Sequence, residues 1–278
     1  MSQYLQDKVV VVTGAASGFG RLIAEKCAAG GAKVVALDID ETGLAAVADG
    51  IRAAGGQATY VVTDVVDLAQ VQAAAQHAVT TFGALDVIVN NAGVMPLGYF
   101  ADHGVAADRW HRAIDINVKG VLNGICAVYD QMISQGRGQV VNISSVYGNA
   151  GVPGSGVYSA TKAAVGTLSD SLRAEAKGKI KVSTVRPTGV FGTNLHTSVV
   201  NPKAVLGLTG GRATGYKERV SAHLGGTLAA ELKDRDSIQY WLITPDDLAD
   251  AVVHVIDQPW GVDISDLTVR ASGEDYVY

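Results

Sequence analysis

The stretch that decides the fold is Val9-Val10-Val11-Val12-Thr13-Gly14-Ala15-Ala16-Ser17-Gly18-Phe19-Gly20. Four consecutive valines without polar alternation are typical of a parallel strand that is covered on both faces. The glycines that follow allow a tight turn, and a helix predicted to begin near Arg21 presents free N-terminal amides to a phosphate. A strand, a glycine-rich turn and a helix in this order predict a dinucleotide-binding unit.

The same alternation of strand and helix continues along the chain. Candidate strands cover residues 8–12, 33–38, 58–63, 85–90, 139–144, 180–186 and 266–270, and candidate helices cover 21–29, 41–54, 68–82, 108–134, 159–176 and 246–256. This order implies right-handed crossovers and an α/β fold, a Rossmann-type doubly wound parallel sheet of about seven strands with helices on both faces. No internal repeat or linker divides the chain, so we expect a single domain over residues 1–278.

One stretch, residues 192–240, breaks this rhythm. It carries the pairs Gly210-Gly211 and Gly225-Gly226 and no clear strand. Because a long irregular insertion in a compact domain more often covers a ligand than links two domains, we predict a lid or substrate loop here.

Composition excludes several classes of protein. The net charge of −5 and the absence of a basic run argue against a nucleic-acid partner. No run of roughly 18 apolar residues could span a membrane, and the first residues do not resemble a signal peptide, so we expect a cytoplasmic protein. Cys27 and Cys126 are expected to be buried free thiols. The six histidines lack metal-ligand spacing, and no metal is expected.

Acidic residues end the second and third predicted strands. A carboxylate at Asp38 would accept hydrogen bonds from the adenosine ribose and repel a 2′-phosphate, which favours NAD as the cofactor. Neither Ile39 nor residues 15–19 include an arginine or lysine that could hold the phosphate of NADP. The alternative is that Asp38 caps the next helix. Asp64 would receive the adenine amino group or, likewise, cap a helix.

Tyr158 and Lys162 stand four residues apart in a predicted helix, so both side chains reach the same surface patch. The helix follows the fifth strand, at the carboxyl edge of the sheet, where ligands of open α/β folds bind. A free tyrosine has a pKa near 10. We expect the Lys162 ammonium and a positive nicotinamide to lower the pKa of Tyr158 until it acts as a base near neutral pH.

In their order along the chain, these motifs resemble the classical short-chain dehydrogenase/reductase (SDR) family. The resemblance runs from about Lys8 to Arg270 and rests on Thr13-Gly14-x-x-x-Gly18-x-Gly20, Asp38, Asp64, Asn90-Asn91-Ala92-Gly93, Asn117, Ser145 and Tyr158-x-x-x-Lys162. It implies an oxidoreductase that moves a hydride between nicotinamide and a secondary alcohol or ketone, as a homodimer or homotetramer.

Matched residue by residue, the family pattern assigns four catalytic residues. It implies that Tyr158 is the general acid/base and that Ser145 binds the substrate oxygen, with Ser144 as the competitor for that role. Lys162 would hold the nicotinamide ribose, and Asn117 would continue a proton relay through water. For Asn117 the structural alternatives are a helix kink or a buried amide. The cofactor-binding residues implied are Gly14, Ser17, Gly18, Phe19, Gly20, Asp38, Asp64, Val65, Asn91, Ala92, Gly93, Tyr158, Lys162, Pro187 and Val190.

The loop after the sixth strand departs from the family pattern. The pattern has a glycine after the proline, and a threonine five places beyond the proline. Here Thr188 follows Pro187, and Thr193 comes one place late. The resemblance therefore assigns no contact between Thr193 and the nicotinamide carboxamide.

The predicted substrate site is mostly apolar. Its candidate residues are Met95, Leu97, Ser145, Val146, Tyr147, Val152, Phe191 and Leu195. They favour an uncharged, cyclic or aromatic secondary alcohol, although Arg212, Lys217 and Arg219 could bind an anion.

Three other classes of protein share part of this pattern. A non-catalytic nicotinamide-sensing protein of the same fold would need no proton relay, so the residues proposed for catalysis argue against it. A methyltransferase has no need of Tyr158 or Lys162. A sugar-nucleotide epimerase would have a different glycine spacing and a longer substrate domain.

Overall fold

The computed structural model describes residues 4–276. Seven strands form one parallel sheet in the order β3-β2-β1-β4-β5-β6-β7, which confirms the predicted fold class. The strands are β1 Val9–Thr13, β2 Lys33–Asp38, β3 Gln57–Val62, β4 Val87–Asn90, β5 Gln139–Ile143, β6 Lys181–Pro187 and β7 Asp266–Val269. The helices are α1 Gly18–Ala29, α2 Glu41–Ala53, α3 Leu68–Phe82, α4 His103–Ile114, α5 Gly120–Ser134, α6 Gly156–Glu175, α7 Ala213–Leu224, α8 Ala230–Lys233 and α9 Pro245–Ile256.

The valines of β1 are buried on both sides because helices cover both faces of the sheet. Val10 and Val12 belong to a core with residues of α1, α2 and α9. Val9 and Val11 belong to a second core with residues of α3, α5 and α6. Side chains alternate along a strand, so the unbroken valine run supplies both cores at once.

Helix caps settle the alternative roles of two acidic residues. The side chain of Asp40 accepts a hydrogen bond from Gly43 N and caps α2, and that of Asp67 caps α3. Neither Asp38 nor Asp64 is a cap, so the alternative in which they serve only as helix caps is wrong. Both are left at the ends of their strands with other partners.

The long helix predicted over residues 108–134 differs from the structure. It begins earlier, at His103, and a π-helical turn at Asp115–Lys119 separates α4 from α5. A π turn widens the helix by one residue, which composition does not reveal. Of the two cysteines, Cys27 is buried as expected but Cys126 is exposed, because it lies on the outer face of α5.

Residues 192–240, called the cover segment below, contain no strand, as expected, but they are not irregular. They hold 3₁₀ helices at Asn194–Ser198 and Pro202–Arg212 and the helices α7 and α8. The segment is fastened at one end, since Val200 N and Asn201 N both donate to Leu97 O at 2.9 and 3.0 Å. Within residues 4–276 no helix is both long and apolar enough to cross a bilayer.

Candidate active site

The glycine-rich turn between β1 and α1 has the features of a phosphate-binding loop. Ser17 precedes α1 with extended backbone, and its side chain does not cap the helix. The first amides of α1 are therefore available to an anion. A Cβ atom at Gly20 would lie 2.1 Å from Gly14 O, so only glycine lets α1 pack this closely against the turn.

The residues that follow β4, Asn91 and Ala92, hold this turn in place. Asn91 Nδ2 donates to Thr13 O at 2.9 Å and to Gly14 O at 3.3 Å. Thr13 Oγ1 accepts from the backbone amides of Asn91 and Ala92, both at 3.0 Å. The Asn90–Gly93 segment, one of the motifs of the family resemblance, therefore ties the turn after β1 to the end of β4.

Asp38 lies against the same turn. Its Oδ2 accepts a hydrogen bond from Ala16 N at 3.1 Å, and its Oδ1 accepts from Ile39 N at 2.7 Å. Asp64 Oδ1 accepts from Val66 N at 3.0 Å, and Val65 beside it is buried. Two carboxylates thus stand at the carboxyl ends of β2 and β3, on the adenosine side of a dinucleotide bound as the resemblance implies.

Ser145, Tyr158 and Lys162 are brought together at the carboxyl end of β5. The side chain of Ser145 lies beside the Tyr158 hydroxyl and favours its charged form. Lys162 Nζ lies 5.9 Å from the centre of the Tyr158 ring and donates to Ile143 O at 2.8 Å. All three side chains are at most 6% exposed. The arrangement pairs two hydroxyls above a buried cation, as a proton-transfer site requires.

The neighbouring serines have different partners. Ser144 Oγ donates to Lys162 O at 2.8 Å and so fastens α6 to the sheet. Ser145 Oγ donates to Pro187 O at 3.4 Å, in addition to its contact with Tyr158. This placement favours Ser145 over Ser144 as the residue that meets the substrate oxygen.

Asn117 lies in the π turn and is fully buried. Its Oδ1 accepts from Val94 N, and its Nδ2 donates to Val94 O and to Thr161 Oγ1, at 2.9, 2.9 and 3.1 Å. Both structural alternatives, the distorted helix and the buried amide, are therefore present. Because both amide hydrogens are used, a relay through Asn117 stays a prediction. A Cβ at Gly93 would lie 3.2 Å from Asn117 Oδ1 and 3.6 Å from Lys162 Nζ.

Burial shifts the pKa values of the catalytic pair. Burial raises the pKa of Tyr158 to about 12, and the interaction with the Ser145 side chain opposes the rise only in part. Burial likewise lowers the pKa of Lys162 to about 8. The expectation that Lys162 and a positive nicotinamide together lower the pKa of Tyr158 concerns the cofactor-bound enzyme and stays a prediction. Without the cofactor, loss of water destabilises both charged forms. A buried tyrosinate would need further positive charge beside it.

This burial predicts a pH-dependent stability. Unfolded Lys162 keeps its proton up to about pH 10.5, whereas folded Lys162 loses it near pH 8. The buried charge of Lys162 therefore destabilises the folded protein fully below about pH 8, and this destabilisation fades as the pH rises above 8. The free energy of unfolding of the cofactor-free wild type, measured with urea, should rise by ~1–2 kcal/mol from about pH 8 to pH 9.5. The free energy of unfolding of Lys162→Met should not show this rise. An identical pH dependence in the two proteins would contradict this assignment.

An apolar cluster adjoins the catalytic residues. Buried Leu97, Val146, Tyr147, Val152 and Tyr158 pack there with the cover segment and with partly buried Met95 and Phe191, so most of the candidate substrate-site residues lie together. Leu195 is not a member of this cluster. It lies in a 3₁₀ turn, where its backbone amide donates to Thr193 Oγ1. Arg219 is paired with Asp275 at 2.6 Å and is not free to bind an anion.

The loop that departs from the family pattern has partners that sequence reasoning missed. Thr188 Oγ1 donates to Glu274 Oε2 at 2.5 Å, and Val190 forms an isolated parallel bridge with Ile243. Thr193 accepts from Leu195 N and serves a local turn. Glu274 lies beyond the last predicted strand. The one feature of the sequence that pointed to this contact was Thr188, in the place where the family pattern has glycine.

Comparison with known proteins identifies relatives over nearly the whole length. The model of the short chain dehydrogenase family matches residues 8–204. The uncharacterised oxidoreductase Lmo0432 of Listeria monocytogenes is 32% identical over 98% of this chain and 99% of the relative. The uncharacterised oxidoreductase SAR2567 of Staphylococcus aureus is 34% identical over 96% of this chain and 98% of its own length.

Solved structures give the same assignment. A short-chain dehydrogenase/reductase from Burkholderia phymatum in complex with NAD is 30% identical, with a TM-score of 0.74 over 96% of this chain and 90% of that one. A metagenomic short-chain oxidoreductase in complex with NADP is 29% identical, with a TM-score of 0.72 over 96% and 99%. With the matching fold and the residues described above, this chain belongs to the short-chain dehydrogenase/reductase family of oxidoreductases.

Proposed function

We propose that this protein is an NAD-dependent oxidoreductase that interconverts a secondary alcohol and a ketone on a small, mostly apolar substrate. The observation that carries the proposal is the buried pair of Ser145 and Tyr158 side chains beside the buried Lys162. The pair lies at the same edge of the sheet as the phosphate loop, so a dinucleotide on that loop would reach it.

Each residue of the pair has a distinct task. Ser145 hydrogen-bonds the substrate oxygen and orients it toward Tyr158, whose hydroxyl oxygen takes the alcohol proton or returns it to the ketone. Lys162 would hold the nicotinamide ribose and, when protonated, stabilise the tyrosinate. When bound, nicotinamide accepts or supplies the hydride. Exclusion of water by the apolar cluster strengthens these electrostatic interactions.

The charges near the apolar cluster favour an uncharged substrate. Asp275 is paired with Arg219, and Glu274 is paired with Arg270, so neither carboxylate is left to bind a cation. Aromatic rings line much of the cluster, with Phe191 5.7 Å from Trp241 between ring centres. A cyclic or aromatic alcohol fits such a lining, since offset and edge-on ring contacts are favourable.

A panel of alcohols and ketones tests the proposal. Oxidation or reduction of at least one secondary alcohol or ketone should change the NADH absorbance, and primary alcohols and charged keto acids should react poorly. If the protein binds NADH but turns over none of the panel, the nicotinamide-sensing alternative replaces the enzyme.

The cover segment is expected to close over the substrate. Its glycine pairs, and the small number of buried side chains in α7 and α8, favour local opening of these two helices in the free protein. Hydrogen exchange should therefore slow across residues 213–233 when NAD and a substrate alcohol are added. Equal exchange with and without ligands would remove the lid hypothesis.

Assembly and location stay predictions. We expect a homodimer or homotetramer formed through the long helices, now divided as α4, α5 and α6, in the cytoplasm. Phe100, Val105 and Ile114 are exposed apolar side chains on or beside α4, as an interface would require. Light scattering should give a mass of at least twice 28.7 kDa, and a particle of 28.7 kDa would contradict the prediction.

A further inference from the structure

The residues that follow β7 fold back onto the active site. We call residues 271–276 the closing segment. Its backbone is fixed to the end of the cover segment, since Gly273 N donates to Tyr240 O at 2.8 Å and Ser272 Oγ donates to Ile238 O at 2.6 Å.

Two acidic side chains anchor the closing segment to opposite sides of the site. Glu274 accepts from Thr188 in the loop after β6. Asp275 accepts from Arg219 Nη1 at 2.6 and 2.7 Å and from Trp241 Nε1 at 2.8 Å. Asp275 is only 6% exposed, and hydrogen bonds to a buried charge are the strong ones. The segment therefore bridges the loop after β6 and helix α7.

These anchors hold Tyr276 among other aromatic residues. Its ring centre lies 6.2 Å from that of Tyr147 and 5.8 Å from that of Tyr216, both edge-on, and its hydroxyl is 3.3 Å from that of Tyr216. Tyr147 stands two residues after Ser145, and its backbone amide donates to Ser145 Oγ at 3.2 Å. Only Tyr147 thus separates Tyr276 from the serine that meets the substrate oxygen.

Tyr276 also rests directly on the loop after β6. A Cβ atom at Gly189 would lie 2.0 Å from the Tyr276 hydroxyl oxygen, so any other residue at position 189 would displace the ring. Thr188 replaces the glycine of the family pattern, and its hydroxyl donates to the Glu274 carboxylate. The departure from the pattern and the position of Tyr276 are therefore parts of one arrangement.

We propose that Tyr276 is a specificity-determining residue, the wall of the substrate site that limits the width of the ring system admitted beside Ser145. The inference deepens the proposed function and rests on it. With Tyr147 and Tyr216, Tyr276 presents ring edges and faces and no free charge, which selects a neutral substrate with a single ring rather than a fused one.

Ketones of increasing width test the proposal in the NADH-dependent reaction. The probes are cyclohexanone, acetophenone and 2-acetylnaphthalene. In Tyr276→Ala the ratio of kcat/KM for 2-acetylnaphthalene to that for cyclohexanone should rise at least about tenfold, a change of ~1.4 kcal/mol in relative barrier. Tyr276→Phe, which keeps the ring, should leave the ratio within about threefold of the wild type.

Two further variants guard against an indirect effect. Tyr60→Ala removes a tyrosine of β3, in the core that contains α1 and α2, and should leave the ratio unchanged. Tyr276→Leu keeps apolar packing and should raise the ratio even if Tyr276→Ala does not fold. An unchanged ratio in a folded Tyr276→Leu or Tyr276→Ala, or an equal rise in Tyr60→Ala, overturns the proposal.

A binding measurement separates this proposal from the proposed function. If the wild type reduces none of the three ketones, the proposed activity fails for this substrate class. Calorimetric titration of the same ketones into the NADH-saturated protein then decides the role of Tyr276. In Tyr276→Leu, the affinity for 2-acetylnaphthalene relative to that for cyclohexanone should rise at least about tenfold. An equal ratio of these two dissociation constants in wild type and variant overturns the inference.

Discussion

Tyr158→Phe is expected to lower kcat by about three orders of magnitude while NADH still binds within about twofold of the wild type. The substitution removes only the hydroxyl that contacts Ser145 and leaves the buried ring in place. General acid–base catalysis contributes roughly 10²- to 10⁴-fold, and three orders correspond to ~4 kcal/mol of barrier. Steady-state kinetics with the best alcohol of the panel and fluorescence titration of NADH provide the two numbers.

Tyr147→Phe is the matched control for this experiment. It also removes one buried tyrosine hydroxyl, which donates to Leu208 O at 2.8 Å. Its kcat should fall by less than about tenfold. A Tyr158→Phe variant that retained more than about a tenth of the wild-type kcat, a loss of at most ~1.4 kcal/mol, would exclude Tyr158 as the acid/base.

The wild type should prefer NAD to NADP by roughly a hundredfold or more in kcat/KM. The Asp38 carboxylate stands at the end of β2, against the phosphate loop, and would accept from the ribose hydroxyls of NAD. The 2′-phosphate of NADP would bring nearly two negative charges to the same place, and such like-charge opposition costs several kcal/mol. Asp38→Ala should raise KM for NAD and reduce the preference for NAD over NADP in kcat/KM.

Asp40→Ala serves as the control for charge alone. Asp40 lies two residues further on and caps α2 through Gly43 N, so its loss should lower stability and leave the cofactor ratio nearly unchanged. Adding Ile39→Arg to Asp38→Ala should reduce the preference for NAD further, because the new arginine would pair with the 2′-phosphate of NADP. A wild type that used NADP as well as NAD would show that a basic residue elsewhere in the fold overrules Asp38.

Much of the fold could be predicted because its signals are local. Unbroken valine runs can be buried only in a sheet covered on both faces, and the spacing of Gly14, Gly18 and Gly20 suits only a close helix–strand turn. The i, i+4 spacing of Tyr158 and Lys162 likewise fixes their shared helix face. The carboxyl edge of the sheet then brings Ser145 to them without further information.

The remaining features depend on contacts that no local pattern encodes. The π turn at Asn117 exists because its amide bonds to the distant Val94, and the helical sequence around it carries no mark of this. The raised pKa of Tyr158 is a property of burial by several elements at once. Glu274 is likewise brought to Thr188 across 86 positions of chain, beyond any periodic signal.

The strand order has a consequence for how the molecule folds. Within each half of the sheet, β1 to β3 and β4 to β7, neighbouring strands are consecutive along the chain, so β1–β4 is the one junction of the described sheet between strands that are not consecutive. Contacts of long sequence separation form against a large loop-closure entropy. In the sheet this applies to β6–β7, where Thr184 pairs with Asp266, and to β1–β4, where Val10 pairs with Val87, so we expect both to form late. Of the two, only the β1–β4 junction lies at the phosphate loop. The hydrogen bonds from Asn91 to Thr13 and Gly14 cross it. Neither half alone therefore contains the nucleotide cleft, and the time course of NADH binding during refolding reports when the two halves dock.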